Sequence, residues 1–207
     1  MGGTYHSPRR ADAAAATRAA ILENARVMFL HRGYADVTVS DIARAARVAV
    51  QTVYASTGGK AAILSALLQP ALDDPSSGET LAVVASADDP RRIIDVTAAG
   101  TRHSHERHWD TVYGLLRHVP SEAEAQQVVN AGIARYLGAL TAVAARLSAL
   151  DALKPGIGPG EALDLLWFYL GQPPWFTLVG QRGWTFDRAE AWLAVSARRA
   201  LLRQPEP

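Results

Sequence analysis

Hydrogen-bonding side chains are concentrated in one short predicted helix near residues 50–56, namely Gln51, Thr52, Tyr54 and Ser56. A glutamine amide can bond to both polar groups on the edge of adenine, and hydroxyl groups can donate to phosphate oxygens. Lys60, which begins the next predicted helix, adds a positive charge suited to the DNA backbone. These residue types point to contact with a nucleic acid, although the same polar groups would also suit the exposed face of a three-helix unit.

The elements that must position these side chains are helices. Apolar residues recur at steps of three and four from Ile21 to Phe29 and predict an amphipathic helix over about 12–32, which Gly33 would cap. Thr38-Val-Ser-Asp41 has the form of a capping box and predicts a helix at about 39–46. A tight connection then leads to the helix at about 50–56. Two short helices across such a turn form the arrangement that lays a recognition helix in the major groove of DNA.

The N-terminal part of the chain is also basic. Residues 1–60 carry eight Lys or Arg against four Asp or Glu, whereas the remainder carries 13 against 16. A basic end on an otherwise acidic chain favours a polyanionic partner, although a solvated surface would have the same composition. The 207 residues include no cysteine, so disulfides and thiolate metal sites are excluded.

The rest of the sequence also predicts helices, and no strand-like alternation is found. Turn-forming residues at 73–78 mark the clearest break, so we expect a helix-turn-helix domain over 1–68 and a larger helical domain over 69–207. Further helices are predicted near 90–103, 105–118, 121–150, 160–171, 174–182 and 187–203. The expected fold class is therefore all-α.

Residues 17–68 resemble the N-terminal domain of TetR-family repressors. The resemblance is carried by Ile21, Ala25, Phe29, Gly33-Tyr34, Thr38-Val39, Ile42-Ala43, Ala46, Val48, Thr52-Val53-Tyr54 and Lys60. A looser similarity to the C-terminal helices of one branch of the family spans 161–203, through Leu166-Trp167, Leu178-Val179, Arg182-Gly183-Trp184 and Ala191-Trp192-Leu193. The resemblance implies a transcriptional regulator with a helix-turn-helix domain and a larger C-terminal domain for ligand binding and dimerisation.

The resemblance also implies roles for individual residues: Thr38, Tyr54 and Lys60 would contact phosphates, and Val50, Gln51 and Thr52 would face the bases. The full expected DNA-binding set is Thr38, Ser40, Arg44, Arg47, Val50, Gln51, Thr52, Tyr54, Ser56 and Lys60.

Three positions depart from the family pattern. Arg47 stands where glycine is usual, so its backbone must avoid positive φ or accept strain. Ala49 replaces the usual capping serine, which should cost about 1 kcal/mol of helix stability. Ser56-Thr57 replaces a His-Phe pair, so a phosphate contact is shorter and a core aromatic ring is missing.

Aromatic residues accumulate after residue 100, around the helix-breaking pair Pro173-Pro174. Most of them would suit a core or a dimer interface, but some could line a mainly apolar pocket for a small molecule. The expected ligand-binding set is His105, His108, Trp109, Tyr113, Arg117, Tyr136, Trp167, Gln172, Trp175 and Phe176.

The sequence thus predicts a repressor that binds a pseudo-palindromic operator in double-stranded DNA as a homodimer and is released by a small-molecule inducer. We expect the dimer to form through the last two long helices, the final one of which carries an apolar stripe made of Ala189, Trp192, Leu193, Ser196, Ala197, Ala200 and Leu201. No cofactor, metal or catalytic residue is expected. The most lipophilic stretch, 165–180, is broken by prolines, and the chain start has no apolar run, so we expect no membrane span, no secretory signal and a cytoplasmic location.

Three alternatives remain open at this stage. His103, His105, His108 and Asp110 invite a metal site, but His103 would point away from the other two histidines on a helix. A helical enzyme could use His108 and Glu106 as an acid/base pair, although their spacing does not force them together. A helical scaffold that never touches DNA is the third alternative, and salt-sensitive retention on DNA would separate it from a repressor.

Overall fold

A computed structural model describes residues 8–118 and 120–203, and within these residues the regular structure is helical. The first seven residues, on which the expectation about a secretory signal rests, lie outside the described part. The helices are α1 (Pro8–Arg32), α2 (Val39–Ala45), α3 (Val50–Thr57), α4 (Lys60–Leu72), α5 (Ser76–Ser86), α6 (Pro90–Leu116), α7 (Ala123–Ala149), α8 (Pro159–Leu170), α9 (Gln172–Trp175), a π-helical segment (Phe176–Gln181) and α10 (Phe186–Leu201).

These helices divide into two compact units. Unit 1 contains the described residues up to Pro70 together with Gly114–Val129, and unit 2 contains Ala71–Tyr113 together with the residues from Asn130 onward. The segment Gly114–Val129 includes the end of α6 and the start of α7, and nothing in the sequence indicated that it groups with the N-terminal helices. The predicted domain boundary after residue 68 stays a prediction.

In unit 1, α1 packs against both α2 and α3. The predicted apolar stripe of α1 is buried: Ile21, Ala25 and Phe29 are almost fully inaccessible to solvent. Gly33 follows α1 with φ +86°, and its N–H donates to the carbonyl of Phe29 at 3.0 Å. The predicted glycine cap is thereby confirmed, because only glycine adopts this left-handed conformation without a steric cost.

The capping box that begins α2 is also confirmed. The Thr38 hydroxyl accepts from the backbone N–H of Asp41 at 3.1 Å, and the Asp41 carboxylate accepts from the backbone N–H of Thr38 at 3.1 Å. The Thr38 hydroxyl also donates to this carboxylate at 2.7 Å. These hydrogen bonds from Thr38 hold the pKa of Asp41 below its ordinary value.

The turn between α2 and α3 carries two of the departures noted in the sequence. Arg47 has φ +56°, so it accepts the left-handed conformation that glycine would occupy without strain. Ala49 is the N-cap of α3 and, as expected, makes no side-chain hydrogen bond to the helix. The start of the candidate recognition helix therefore rests on packing, not on a polar cap.

Unit 2 has its core where α6, α7, α8 and α10 bury their apolar faces, with Trp175 as its largest fully buried side chain. Helices α8 and α10 pack directly against each other. Two expectations about this unit were wrong. Residues 76–86 form α5, where no helix was predicted, and the predicted helices at 90–103 and 105–118 are one helix, α6, with non-helical backbone angles at His108.

The apolar stripe expected to form the dimer contact combines two different faces of α10. Ala189, Leu193, Ala197 and Leu201 are buried within the single chain, whereas the Trp192 side chain is 50% exposed. The stripe as predicted was therefore wrong in part, because its small and apolar residues mainly pack α10 onto the core of its own chain.

One helix in the described residues, α7, is long and apolar enough to cross a membrane by length and composition alone. Core helices pass the same test, and α7 contributes Leu140, Val143 and Leu147 to the buried core of unit 2. Its Arg146 forms a salt bridge of 2.8 Å with Asp88. Length and composition are weak evidence for a membrane span here.

Replacing Arg47 by glycine should stabilise the protein. A side chain at left-handed φ costs about 1–2 kcal/mol, and the greater freedom of glycine in the unfolded chain offsets about 0.4–1 kcal/mol of that gain. We therefore expect Arg47→Gly to raise the free energy of unfolding, measured by urea titration, by roughly 0.5–1 kcal/mol. Arg44→Gly, inside α2, is the matched control and should lower it by about 1 kcal/mol. Equal losses in both variants would contradict the strain at Arg47.

Candidate nucleic-acid interface and aromatic site

Helix α3 presents one polar face to solvent because its other face is anchored inside unit 1. Val53 and Thr57, four residues apart, are buried. Gln51 and Tyr54 lie on the remaining surface, where Tyr54 is 53% exposed and Val50 is 40% exposed. Gln51 is the second residue of the helix, at the end from which a recognition helix contacts base edges.

The other expected DNA-binding residues near α3 differ in how far protein contacts already engage their side chains. Ser40, Arg44 and Arg47 are exposed, and Arg44 lies 3.4 Å from Asp41 in an ion pair across one turn of α2. Thr38 is exposed but its hydroxyl is engaged in the capping box. The exposed side chain of Arg47 could therefore contact a phosphate more readily than the Thr38 hydroxyl, which the capping box already engages.

The far end of α3 shows how the chain accommodates the loss of the usual aromatic residue. Thr57 is buried, and its hydroxyl donates to the carbonyl of Val53 at 2.8 Å, so no polar group is left unpaired there. Ser56 is half-buried, and its carbonyl accepts from the guanidinium of Arg18 on α1 at 2.5 Å. That bond connects the C-terminal end of α3 to α1. Thr52, near the start of α3, is half-buried.

Lys60 lies at the start of α4 and is already engaged by protein groups. Its Nζ donates to the carbonyl oxygen of Tyr34 at 3.1 Å and to a carboxylate oxygen of Glu122 at 3.0 Å. The same Nζ lies 4.2 Å from the centre of the Tyr34 ring, within the range of a cation–π interaction. Contact with a phosphate would require the ammonium group to change or share these partners.

Unit 2 contains a continuous cluster of aromatic rings, here called the aromatic cluster. Its members are His105, Trp109, Tyr113, Tyr136, Trp167, Trp175, Phe176 and Phe186. Seven of these eight belong to the expected ligand-binding set, and Phe186 was not in that set. Trp109 stacks on Tyr113 at 4.7 Å between ring centres and meets Phe186 edge-on at 5.2 Å.

The π-helical segment forms one side of this cluster. Phe176, its first residue, contacts both Trp109 and Tyr113. A Cβ atom on Gly180 would lie 2.3 Å from the Tyr113 ring, so this close approach of helix to ring requires glycine. Helical segments of this type are rare and frequently occur at functional sites.

Two buried polar atoms inside the cluster have no hydrogen-bond partner: Nε2 of His105 and Nε1 of Trp175. The two rings stack with centres 5.5 Å apart. Nδ1 of His105 lies 2.7 Å from the carbonyl oxygen of Thr101, which can only accept, so Nδ1 carries the hydrogen. Burial lowers the pKa of His105 to about 4, against the opposing effect of that bond. The ring is therefore neutral, with an acceptor lone pair on Nε2.

Three members of the expected ligand-binding set lie outside the cluster. Nε2 of His108 bonds to the buried carboxylate of Asp74 at 2.7 Å. Arg117 is exposed and belongs to unit 1, and Gln172 is half-buried at the start of α9. Burial alone would raise the pKa of Asp74, but hydrogen bonds from Ser76 and His108 outweigh it and hold this pKa well below its ordinary value.

The groups considered for metal binding and for acid/base chemistry are dispersed. In the part of the chain that the structure describes, no group of three or more His, Asp or Glu side chains could hold a metal ion. Glu106 forms an ion pair with Arg102 at 3.2 Å, whereas His108 pairs with Asp74. The histidine and glutamate of the alternative enzyme hypothesis therefore have separate partners.

Residues 21–67 match the family model described as bacterial regulatory proteins, tetR family. The match covers the second half of α1, all of α2 and α3, and most of α4, so it includes the polar face of α3 and the capping box. The chain therefore carries an N-terminal domain of the TetR type. It is a DNA-binding transcriptional regulator with a TetR-like fold, and the expected all-α class with an N-terminal helix-turn-helix is confirmed.

Solved structures of TetR-family repressors share this fold over nearly the whole chain. NalD, the secondary repressor of the MexAB-OprM multidrug efflux pump in Pseudomonas aeruginosa, is 23% identical, with a TM-score of 0.74 and coverage of 93% of this chain and 98% of its own. SmeT, the repressor of the Stenotrophomonas maltophilia multidrug efflux pump SmeDEF, is 23% identical, with a TM-score of 0.67 and coverage of 94% and 98%.

A third solved structure extends the similarity to another TetR-family regulator. PfmR from Thermus thermophilus is 21% identical, with a TM-score of 0.64 and coverage of 89% of this chain and 96% of its own. At these identities the solved structures establish the fold. No curated relative matched the sequence.

Proposed function

We propose that this TetR-family regulator is a homodimeric repressor that binds a pseudo-palindromic operator and leaves it when a neutral aromatic ligand binds unit 2. The observation that carries the DNA-binding part is the orientation of α3, whose polar face is exposed while Val53 and Thr57 are buried. In this proposal the protein works in the cytoplasm, where its operator lies, and catalyses no reaction.

The proposed DNA contacts fall into two groups. Gln51, with Val50 and Thr52 beside it at the start of α3, reads base edges. Tyr54 and the surrounding polar and basic residues hold the phosphate backbone and fix the register of the helix. Phosphate contacts supply salt-dependent affinity that is the same beside every base pair, whereas base contacts supply sequence preference.

The proposed ligand site is the aromatic cluster, with His105 and Trp175 as its polar members. An unpartnered buried polar atom costs roughly 1–3 kcal/mol, so a ligand that pairs with both atoms would recover that cost. His105 offers an acceptor and Trp175 offers a donor, which suits a neutral aromatic molecule with a hydroxyl group. The ligand must bind the non-DNA conformation more tightly, because equal affinity for both conformations would shift nothing.

The proposed dimer forms through α8 and α10. These neighbouring helices each leave a large aromatic side chain in solvent: Phe168 is 68% exposed and Trp192 is 50% exposed. Exposed aromatic residues on packed helices are characteristic of association surfaces, and a two-fold pairing would bury the same patch on both copies. A dimer also matches the two half-sites of a pseudo-palindrome.

Gln51→Ala should flatten the base preference at one or two operator positions in each half-site. The amide of Gln51 can satisfy the donor and the acceptor of adenine together, worth about 1–3 kcal/mol of discrimination. Affinity for operator and scrambled duplexes, measured across a salt series, should show a loss on the operator only. Gln127→Ala, at an exposed glutamine of α7, is the matched control. Equal losses on both duplexes would mean that Gln51 does not read bases.

Triclosan, named in the solved SmeT–triclosan complex, is a suitable probe of the ligand site. It should quench tryptophan fluorescence and weaken operator binding, and His105→Phe should reduce its affinity about fivefold by removing one hydrogen bond of about 1 kcal/mol. Because the pKa of His105 is about 4, this group should add no pH dependence between about pH 6 and pH 8.

The matched control for the ligand prediction is His103→Phe, at an exposed histidine of the same helix. It should bind triclosan like the wild type. Absence of quenching in the wild-type protein, or equal affinity in the His105→Phe and His103→Phe variants, would count against the aromatic cluster as the ligand site.

Trp192→Glu should dissociate the dimer, because it would place a charge in the proposed contact where burial of an unpaired charge is costly. Sedimentation velocity at micromolar concentration should show a dimer for the wild type and a monomer for the variant. Val27→Glu, at an exposed apolar position of α1, is the control and should stay dimeric. A monomeric wild type at that concentration would contradict the proposed homodimer.

A further inference from the structure

We propose that Glu122 holds Lys60 in the DNA-free protein and competes with a DNA phosphate for it, so that Glu122 sets the DNA affinity of the helix-turn-helix. This inference rests on the proposed function, since it assumes that Lys60 meets the DNA backbone. Glu122 lies in the connection between α6 and α7, which belongs to unit 1 together with Lys60. The two residues are separated by 62 positions in the sequence.

The Glu122 carboxylate occupies a position that would also suit an anionic ligand. One of its carboxylate oxygens accepts from Nζ of Lys60 at 3.0 Å, and the carboxylate also lies near the Tyr34 side chain, whose pKa is raised by burial and by Glu122. A backbone phosphate is likewise an anion with several acceptor oxygens, and it could accept from the same ammonium group. The carboxylate therefore lies where the charge and hydrogen-bonding capacity of a phosphate would be satisfied.

Lys60 is held from three directions, and only one of these contacts carries a negative charge. The Tyr34 carbonyl accepts from Nζ at 3.1 Å, and the Tyr34 ring lies 4.2 Å from it. Both contacts are compatible with an added phosphate, because neither neutralises the ammonium charge. Glu122 does neutralise it, so a phosphate that approaches Lys60 must displace the carboxylate or bear its repulsion.

The exchange is feasible because the ion pair is accessible to water. The side chain of Glu122 is 42% exposed and that of Lys60 is 19% exposed, so the carboxylate can turn into solvent when a phosphate arrives. Partly exposed pairs of this kind contribute little to stability and weaken as salt rises. Glu122 thus holds Lys60 through a contact that a phosphate can replace.

The test compares Glu122→Gln with Glu124→Gln. Glutamine at position 122 can still accept from Lys60, so the local geometry is kept and only the charge is lost. Glu124 is an exposed carboxylate two residues further on, and its substitution makes the same change in net charge. Affinity for a scrambled 30-base-pair duplex is measured for the full chain by fluorescence anisotropy across a salt series.

Glu122→Gln should tighten binding to the scrambled duplex roughly 3–10-fold at low salt, and more than Glu124→Gln does. Its salt dependence should be steeper than that of the wild type, because rising salt screens the repulsion that Glu122 exerts on a phosphate in the wild type. In a Lys60→Ala background, the difference between the two glutamate substitutions should disappear. This dependence on Lys60 separates direct competition from a general change in charge.

Equal effects of Glu122→Gln and Glu124→Gln would overturn the proposal, since the charge alone would then explain them. Weaker binding by Glu122→Gln would also overturn it, because Glu122 would then support Lys60 and not compete for it. If the wild-type protein binds no duplex even at low salt, the proposed function fails as well. If it binds and Lys60→Ala changes nothing, only the role of Lys60 and Glu122 fails.

Discussion

The candidate DNA-binding surface of this protein depends on the burial of one face of a very short helix. Helix α3 has eight residues, fewer than an isolated helix needs to be stable in water, and its N-cap is an alanine that makes no capping bond. Its conformation therefore comes from Val53 and Thr57, which are buried in unit 1, and from the packing of α1 against α2 and α3. Because that face is fixed, Gln51 and Tyr54 are directed to solvent.

The same unit carries features that lower its stability near the proposed contacts. Arg47 adopts a left-handed backbone conformation, which is energetically unfavourable for a residue with a side chain. Its positive charge stays exposed beside α3, where a phosphate backbone would meet it. In unit 2, the buried nitrogens of His105 and Trp175 that have no hydrogen-bond partner lower the stability in a comparable way. Strain and unpaired polar groups of this kind concentrate at functional sites, where binding can compensate for them.

Much of unit 1 could be predicted from the sequence because its signals are local. The capping box of Thr38 and Asp41, the glycine that ends α1 and the uncapped start of α3 each depend on a few adjacent residues. The structure of unit 2 was harder to predict from the sequence wherever tertiary contacts determine it. Turn-forming residues at 73–78 indicated a break, but α5 begins at Ser76, within that stretch.

Other features of the structure depend on pairs that are distant in the sequence. The irregular position in α6 lies at His108, whose ring bonds to Asp74, 34 residues earlier. The contact between Lys60 and Glu122 spans 62 residues. The apolar residues of α10 resembled a dimer contact because packing within a chain and packing between chains use the same kinds of side chain. Burial in the single chain distinguishes the residues that pack internally from those that stay exposed. No pattern within a single helix predicts such pairs.

Operator recognition is tested most directly by a footprint of the purified protein on the DNA upstream of its own gene, taken across a salt series. The protein should protect one pseudo-palindrome whose half-sites lie about 10 base pairs apart, or a multiple of this spacing, since a dimer would place two copies of α3 in successive major grooves. Protection should weaken steeply as salt rises. Uniform coverage without a preferred site, or no protection even at low salt, would contradict operator recognition.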